Sequence, residues 1–275
     1  MNSSILLTLA AADLACIRGL EYPKRAVEVA AAGGHSILIV GTAGTGKTLL
    51  ARALAGLVGK PLQVFPPDCP PSRMAWEFRN GGLFLVYPGL LSGQLRKRLA
   101  WLMGLDGILG GDLQVVAEAL PCPCGLFEDE VRPCTCTPTQ ISRYQEQVIL
   151  PVVEGFDIII WGLPQVSMAN TPRPAETTEQ VRVRVEEAWK RQQERRFGRP
   201  IRRNAQMGPA EVERFCILDD ASRNLLRAAE RQLQFSAARC HRVLKVARTI
   251  ADLAGSENIQ AAHLAEALQY GQEKK

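Results

Sequence analysis

The chain has 275 residues, 47% of them hydrophobic and 22% charged, an ordinary globular balance that excludes a disordered, collagen-like or coiled-coil chain. At roughly 150 residues per domain, it holds one large domain or two small ones, with length enough to bury a core. The 33 Lys and Arg against 28 Asp and Glu give a net charge of +5, too mild to define a nucleic-acid binder. The excess is local: nine basic and three acidic residues lie between Arg182 and Arg203.

At the amino terminus no signal peptide is expected, because Met1 to Cys16 has no charged start and Asp13 interrupts the apolar run. Nothing approaches about 18 uncharged apolar residues, so no membrane span is expected either. Pro23 reads as the first position of a helix that runs to about Ala32 and stops at Gly33 and Gly34. Ser36 to Val40 is a short continuous apolar run, the pattern of a buried parallel strand. It leads into Gly41-Thr42-Ala43-Gly44-Thr45-Gly46-Lys47-Thr48 and then a helical pattern through Val58.

Leu62 to Phe65, Leu83 to Val86, Leu113 to Ala119 and Phe156 to Trp161 read as further strands. Ser92 is placed to cap a helix carrying Leu95, Leu99, Leu102 and Met103 on one face. Strands alternating with helices predict an α/β fold with a parallel sheet. Ser167 to Thr177 reads as a linker, and a charged helix is expected from Thr178 to Arg196. Beyond Gly208 the pattern is purely helical, with starts at Pro209, Asp219, Ser236 and about Gln260 and stops at Gly255 and Gly271. The division expected is an α/β domain over 1–165, a linker and basic helix over 166–207, and a helical domain over 208–275.

Residues 41–48 match G-x-x-x-x-G-K-[ST] in full, between a strand and a helix. Its glycines let several backbone N–H groups and a helix N-terminus face phosphate. Lys47 would reach the terminal phosphates and the Thr48 hydroxyl would ligate Mg²⁺, so ATP or ADP is the expected ligand. The nucleotide-binding residues are Gly41, Thr42, Ala43, Gly44, Thr45, Gly46, Lys47, Thr48 and Leu49.

Four of the eight cysteines cluster as Cys122-Pro-Cys124 and Cys134-Thr-Cys136. Four thiolates suit a structural, tetrahedral Zn²⁺. The spacing is C-x-C rather than the commoner C-x₂-C, and an iron–sulfur cluster or free thiols are the alternatives. Prolines 121, 123, 133 and 138 would stiffen this Cys₄ loop, an insertion over 121–138. Clustered thiols without a signal sequence point to a reduced, cytoplasmic compartment. Cys16, Cys69, Cys216 and Cys240 stand alone, and His35, His241 and His263 lack metal-ligand spacing; all are expected to be structural.

Together these residues resemble the magnesium-chelatase-like AAA+ ATPases, in the ComM/YifB branch. The resemblance is carried by Asp13-Leu14 with Arg18-Gly19, Lys24-Arg25-Ala26, the run from Ala30 to His35 and the phosphate loop. It continues through Gly81 to Leu85, Pro121 to Gly125, Cys134 to Tyr144 and Cys240 to Tyr270, with weak stretches at 60–79 and 87–113. It implies a P-loop AAA+ parallel sheet flanked by helices with a C-terminal all-α lid, ATP hydrolysis in a ring and, in ComM-like members, DNA branch migration.

Set against that family, several positions depart. The Asp-Glu that follows the family's GGLFL strand, which holds Mg²⁺ and orients the attacking water, is Val86 and Tyr87 here. Neither ligates a hard cation or polarises water. The polar sensor before PCPCG is Leu120, and the arginine finger falls at Gly155; such a finger can contribute about 10³–10⁵ in rate. In the helical region the family's Ser-Ala-Arg reads Ser236-Ala237-Ala238, with Arg239 one step on and Arg242 at a matched nucleotide-binding position. The family's amino-terminal domain, resembling that of Lon proteases, and its pore-loop region are expected to be missing. A relocated carboxylate has Asp68, Asp106 and Asp112 as candidates. The expectation is a pseudo-ATPase or regulatory subunit in an oligomer or heteromer with an active relative. A DNA motor and a metal-chelatase accessory ATPase are the alternatives.

The basic stretch, Arg182, Arg184, Lys190, Arg191, Arg195, Arg196, Arg199, Arg202 and Arg203, has two readings. It tracks a nucleic-acid backbone, or it is a solvated helix face with pairs such as Glu186 to Lys190. With only Trp189 and Phe197 as aromatics there, the second is favoured.

Overall fold

The computed structural model describes residues 6–104, 112–164, 176–195 and 203–270. Asp106, Arg196, Arg199 and Arg202, and most of the predicted linker, lie outside them.

β1 (Leu7–Leu9) comes first, followed by α1 (Glu21–Gly33), β2 (Ile37–Val40), α2 (Lys47–Val58) and β3 (Leu62–Val64). α3 (Pro71–Asn80), β4 (Gly82–Val86), α4 (Gly93–Met103) and β5 (Leu113–Ala119) follow. α5 (Pro138–Tyr144), a π-helical turn, α6 (Leu150–Val153) and β6 (Ile158–Trp161) close the α/β part. The remainder is helical: α7 (Thr178–Arg195), α8 (Pro209–Phe215), α9 (Asp220–Leu233), α10 (Ala237–Leu253) and α11 (Ala261–Gln269). The described strands form one sheet in the order β1-β3-β4-β5-β2-β6, parallel throughout except for the antiparallel edge strand β1.

The predicted strands and helices are all present, most with the terminal chemistry expected of them. Gly34 takes the left-handed conformation that closes α1, Ser92 accepts from Leu95 N–H, and Asp219 and Ser236 cap α9 and α10. Sequence reading missed β1, α3, α5 and α6. β1 is three residues long and largely exposed, so it has no apolar run to mark it. α3 begins at a proline pair and buries only Met74 and Phe78.

The sheet has a distinct apolar layer on each face. On one face, Leu83, Leu85, Val116, Ile37, Ile39, Ile158 and Ile160 meet α1 and α2. On the other, Phe84, Val86, Val115, Ala117, Leu38, Val40 and Ile159 meet Phe65, Phe78 and the Leu95–Leu99–Leu102 stripe of α4. This is period-2 alternation in strands buried on both sides. The first layer continues without a break into α7, α8, α10 and α11 through Val185, Val212, Val246 and Leu264, so the helical region shares its core with the sheet. No helix among the described residues is long and apolar enough to cross a membrane.

Candidate functional site

The phosphate loop leaves the carboxyl end of β2 and enters α2 at Lys47. Gly44 and Gly46 have φ of 87° and 89°, a region closed to most side-chain-bearing residues, and nothing lies within 4 Å of where a Gly44 Cβ would stand. The loop is a shallow cradle open to a cleft of 330 Å³ lined by Ile17, Arg18, Leu20, Ala43 to Gly46, Leu49 and Arg132, at the lower end of small-ligand pockets. Thr45 Oγ1 donates to the Thr42 carbonyl at 2.8 Å and holds the turn closed. The Lys47 ammonium donates to the carbonyls of Gly41 at 2.8 Å and Thr42 at 2.6 Å. Burial lowers its pKa, opposed by the charge of Glu118.

Glu118, which sequence reading passed over, stands against the start of α2 beside this loop. β5 alternates, so Gln114, Val116 and Glu118 face α1 and α2 while Val115, Ala117 and Ala119 face α4. Thr48 Oγ1 donates to Glu118 Oε2 at 2.9 Å. Glu118 is only 6% exposed, and its Oε1 is buried with no hydrogen-bond partner. Burial raises the pKa of its carboxyl, opposed by the Thr48 hydrogen bond and by Lys47. The Tyr87 phenol stands beside both: burial, then the charge of Glu118, raises its pKa, while the Thr48 hydroxyl opposes. The signal was in the sequence, since an acid inside LQVVAEA is a charge in an apolar parallel strand.

Of the other carboxylate candidates, Asp106 lies outside the described residues and Asp68 follows β3 in the turn before α3. Asp112 precedes β5, at the opposite end of the sheet, and pairs with Lys60 at 2.6 Å. Among the degenerate positions, Val86 ends β4 facing the α4 layer, and only Tyr87 reaches the α2 side. Leu120 packs its methyl groups against Gly125. Gly155 lies between α6 and β6, where a Cβ would come within 2.8 Å of Met103 Cβ.

Arg242 departs from expectation. Its guanidinium meets Asp157 at 3.5 Å, just before β6, whereas the phosphate loop follows the far end of the parallel neighbour β2. A single chain therefore does not bring Arg242 to its own phosphate loop, because α10 packs along α1 and α7 and past the start of β6. Arg239 turns inward and donates to the carbonyls of Phe156 at 2.7 Å and Tyr270 at 3.4 Å. Both arginines belong to a buried polar centre. There, His35 joins Asp157 Oδ2 at 2.9 Å and Thr249 Oγ1 at 2.8 Å.

The cysteine loop follows the carboxyl end of β5, beside the phosphate loop that leaves the carboxyl end of its parallel neighbour β2. Cys122 Sγ lies 3.4 Å from Cys124 Sγ and 3.8 Å from Cys134 Sγ, Cys124 and Cys134 are 3.5 Å apart, and the four sulfurs all fall within 4.8 Å of one another. Tetrahedral zinc with Zn–S of about 2.3 Å needs S···S of about 3.8 Å, so the four thiols fit a metal. Backbone N–H groups of Leu126 and Thr135 pull the pKa of Cys124 down to about 5. The Cys136 N–H acts in the same direction on Cys134, but desolvation and the neighbouring Cys124 and Cys122 push it up to about 12. A bound cation would supply the charge that lets all four thiols deprotonate.

Arg132, within that loop, spans the two sites. Asp129 Oδ2 accepts from its guanidinium at 2.8 Å, and the same group donates to the Ala43 carbonyl at 3.1 Å. On the basic helix, Arg182 binds the Gly56 carbonyl, Arg184 binds Glu28 and Glu176, Arg191 binds the Asp252 carbonyl, and Arg195 pairs with Asp252. Arg203 lies over the Trp189 ring at 3.7 Å and donates to Ala31. These cations are committed to other elements of the fold, a correction to the expected solvated helix face with pairs along the helix such as Glu186 to Lys190.

A strand–loop–helix phosphate cradle in a mostly parallel sheet, with a helical C-terminal region, defines a P-loop protein of AAA+ type. The family described as magnesium chelatase, subunit ChlI, matches residues 13–63 and 110–170, and its C-terminal part matches 175–271. The chain is 32% identical to competence protein ComM of Haemophilus influenzae and 30% identical to the uncharacterized protein YifB of Escherichia coli, in each case over 94% of this chain and 60% of the relative. It belongs to the magnesium-chelatase-like family, in the ComM/YifB branch, and spans about 60% of the length of those curated relatives.

Magnesium fits the phosphate loop of this chain: Thr48 presents its hydroxyl, and a buried carboxylate oxygen beside it lacks a partner. When bound there it would neutralise phosphate charge. Lys47 and the loop N–H groups would orient the phosphates.

Proposed function

We propose that this chain is a nucleotide-binding AAA+ subunit that holds ATP or ADP with magnesium, hydrolyses ATP slowly by itself, and serves as a regulatory member of an oligomer or heteromer with an active relative. The observation that carries the reading is Gly155. The loop that cradles phosphate is intact, while the finger position is a glycine packed against Met103, where no side chain fits. The strand end at Val86-Tyr87 offers no carboxylate to orient water. The Cys₄ loop holds structural zinc in this reading and stiffens the rim of the nucleotide cleft.

The test is steady-state ATP turnover with Mg²⁺, using Lys47→Ala as the blank. Turnover at or barely above that blank, in protein that binds nucleotide, is the expected result; turnover well above it overturns the slow-hydrolysis reading.

A DNA-driven motor is the second reading, kept by the similarity to competence protein ComM. It requires turnover stimulated by branched DNA and a salt-sensitive DNA affinity. The internal partners of Arg182, Arg184, Arg191, Arg195 and Arg203 weigh against a DNA surface over 182–203. A chelatase-like accessory role would need a chelatase partner, and no feature of the described residues favours it.

A further inference from the structure

The family places its magnesium carboxylate at the end of β4, and this chain has no acid there. The neighbouring strand supplies one. Gln114, Val116 and Glu118 project from β5 onto the α1–α2 side. Gln114 gives its amide nitrogen to the carbonyls of Ala30 and His35, and Val116 joins the apolar layer. Glu118 instead meets the first turn of α2, where one of its oxygens accepts from Thr48 and the other, Oε1, has no partner.

A carboxylate 6% exposed with one oxygen unbonded is a costly arrangement, and such exceptions call for a specific explanation. The nearest cation, Lys47, gives its hydrogen bonds to Gly41 and Thr42. A hydroxyl and a carboxylate oxygen side by side, at the rim of a phosphate cradle, are hard-oxygen ligands of the kind Mg²⁺ takes alongside phosphate. We propose that Glu118 is the magnesium-site carboxylate of this chain, supplied from β5 in place of the absent β4 acid. The proposal rests on the nucleotide-binding reading above. It separates two functions that the family joins in one strand end: the metal-holding group is retained by relocation, while the water-orienting group is not.

The experiment is a titration of Mg²⁺ into wild-type protein saturated with a fluorescent non-hydrolysable ATP analogue, starting in EDTA and following the tightening of analogue binding. Glu118→Gln is expected to move the Mg²⁺ midpoint roughly 10–100-fold upward. Adding Tyr87→Glu to that variant places a carboxylate beside Thr48 again and brings the midpoint back toward wild type, which a merely structural role for Glu118 would not produce. An unmoved midpoint in Glu118→Gln overturns the proposal while leaving nucleotide binding standing. If that variant lacks a cooperative thermal transition, Glu118→Asp decides the matter: it keeps the charge but withdraws it by one methylene, so the midpoint must still rise, and an unchanged one overturns the proposal. If wild type and Lys47→Ala alike fail to bind the analogue, the nucleotide-binding reading falls, and this proposal with it.

Discussion

A Cβ at Gly155 would stand 2.8 Å from the Cβ of Met103 and 3.2 Å from the Val152 carbonyl. Met103 is 1% exposed and ends the apolar stripe of α4, so it has no room to move aside. The position aligned with an arginine finger is thus an interior packing point in this chain. Gly155→Arg is expected to lower stability by about 2–3 kcal/mol through overpacking without raising ATP turnover. Urea denaturation and an ATPase assay on the same preparation measure both; a stable variant with raised turnover would show that the site tolerates a finger.

Val86 and Tyr87 are adjacent but face opposite layers of the sheet. Val86→Asp inserts a carboxylate into the apolar α4 layer beside Ala117 and is expected to cost on the order of 3 kcal/mol. Tyr87→Glu replaces a half-buried phenol beside Thr48 and is expected to cost less. Thermal melts of the two single variants should rank them in that order, and the reverse ranking would contradict the strand register.

The Asp129–Arg132–Ala43 chain links the cysteine loop to the phosphate loop. The purified protein is expected to carry about one equivalent of zinc, lost in Cys134→Ser. Removal of the metal, or Arg132→Ala, releases the bond to Ala43, a loss of about 1 kcal/mol. Amides around Ala43 should then exchange several-fold faster in hydrogen–deuterium exchange. Equal exchange in wild type and Arg132→Ala would show that the two loops are independent.

Asp157 gives the fold an acid limit. Burial raises its pKa, but the hydrogen bond and charge of His35, with Lys245 and Arg242, outweigh that and leave it at about 2, against 3.8 for the free group. The unfolded chain therefore binds this proton more readily, so the stabilisation is complete above pH 3.8 and is lost as the pH falls through about 2. Its size is about 2 kcal/mol. Asp157→Asn should be less stable than wild type at neutral pH, and the gap should narrow toward pH 2 in chemical denaturation. A gap independent of pH would mean that Asp157 acts through packing alone.

Much of the fold was legible because its signals are local. The apolar run at Ile37–Val40, the glycines of the phosphate loop, the caps Ser92, Asp219 and Ser236, and the two C-x-C pairs each declare themselves within a few residues. Three-residue β1 and the sparsely buried α3 carry no such pattern and were missed.

Sequence by itself determined that this chain carries a complete phosphate loop, a Cys₄ set and a degenerate β4 end, since each depends on residue identity at short spacing. Only the tertiary structure decided which carboxylate stands at Thr48, why Gly155 has no space, and that Arg242 pairs with Asp157 beside the start of β6. Those outcomes follow from strand order and layer packing. β5 lies between β4 and β2, so Glu118 reaches α2 from a strand 70 residues along the chain from Thr48. Met103 and Gly155 meet because α4 and α6 share one face of the sheet. Contacts across such separations leave no periodicity in the sequence, and chain folding alone brings them together.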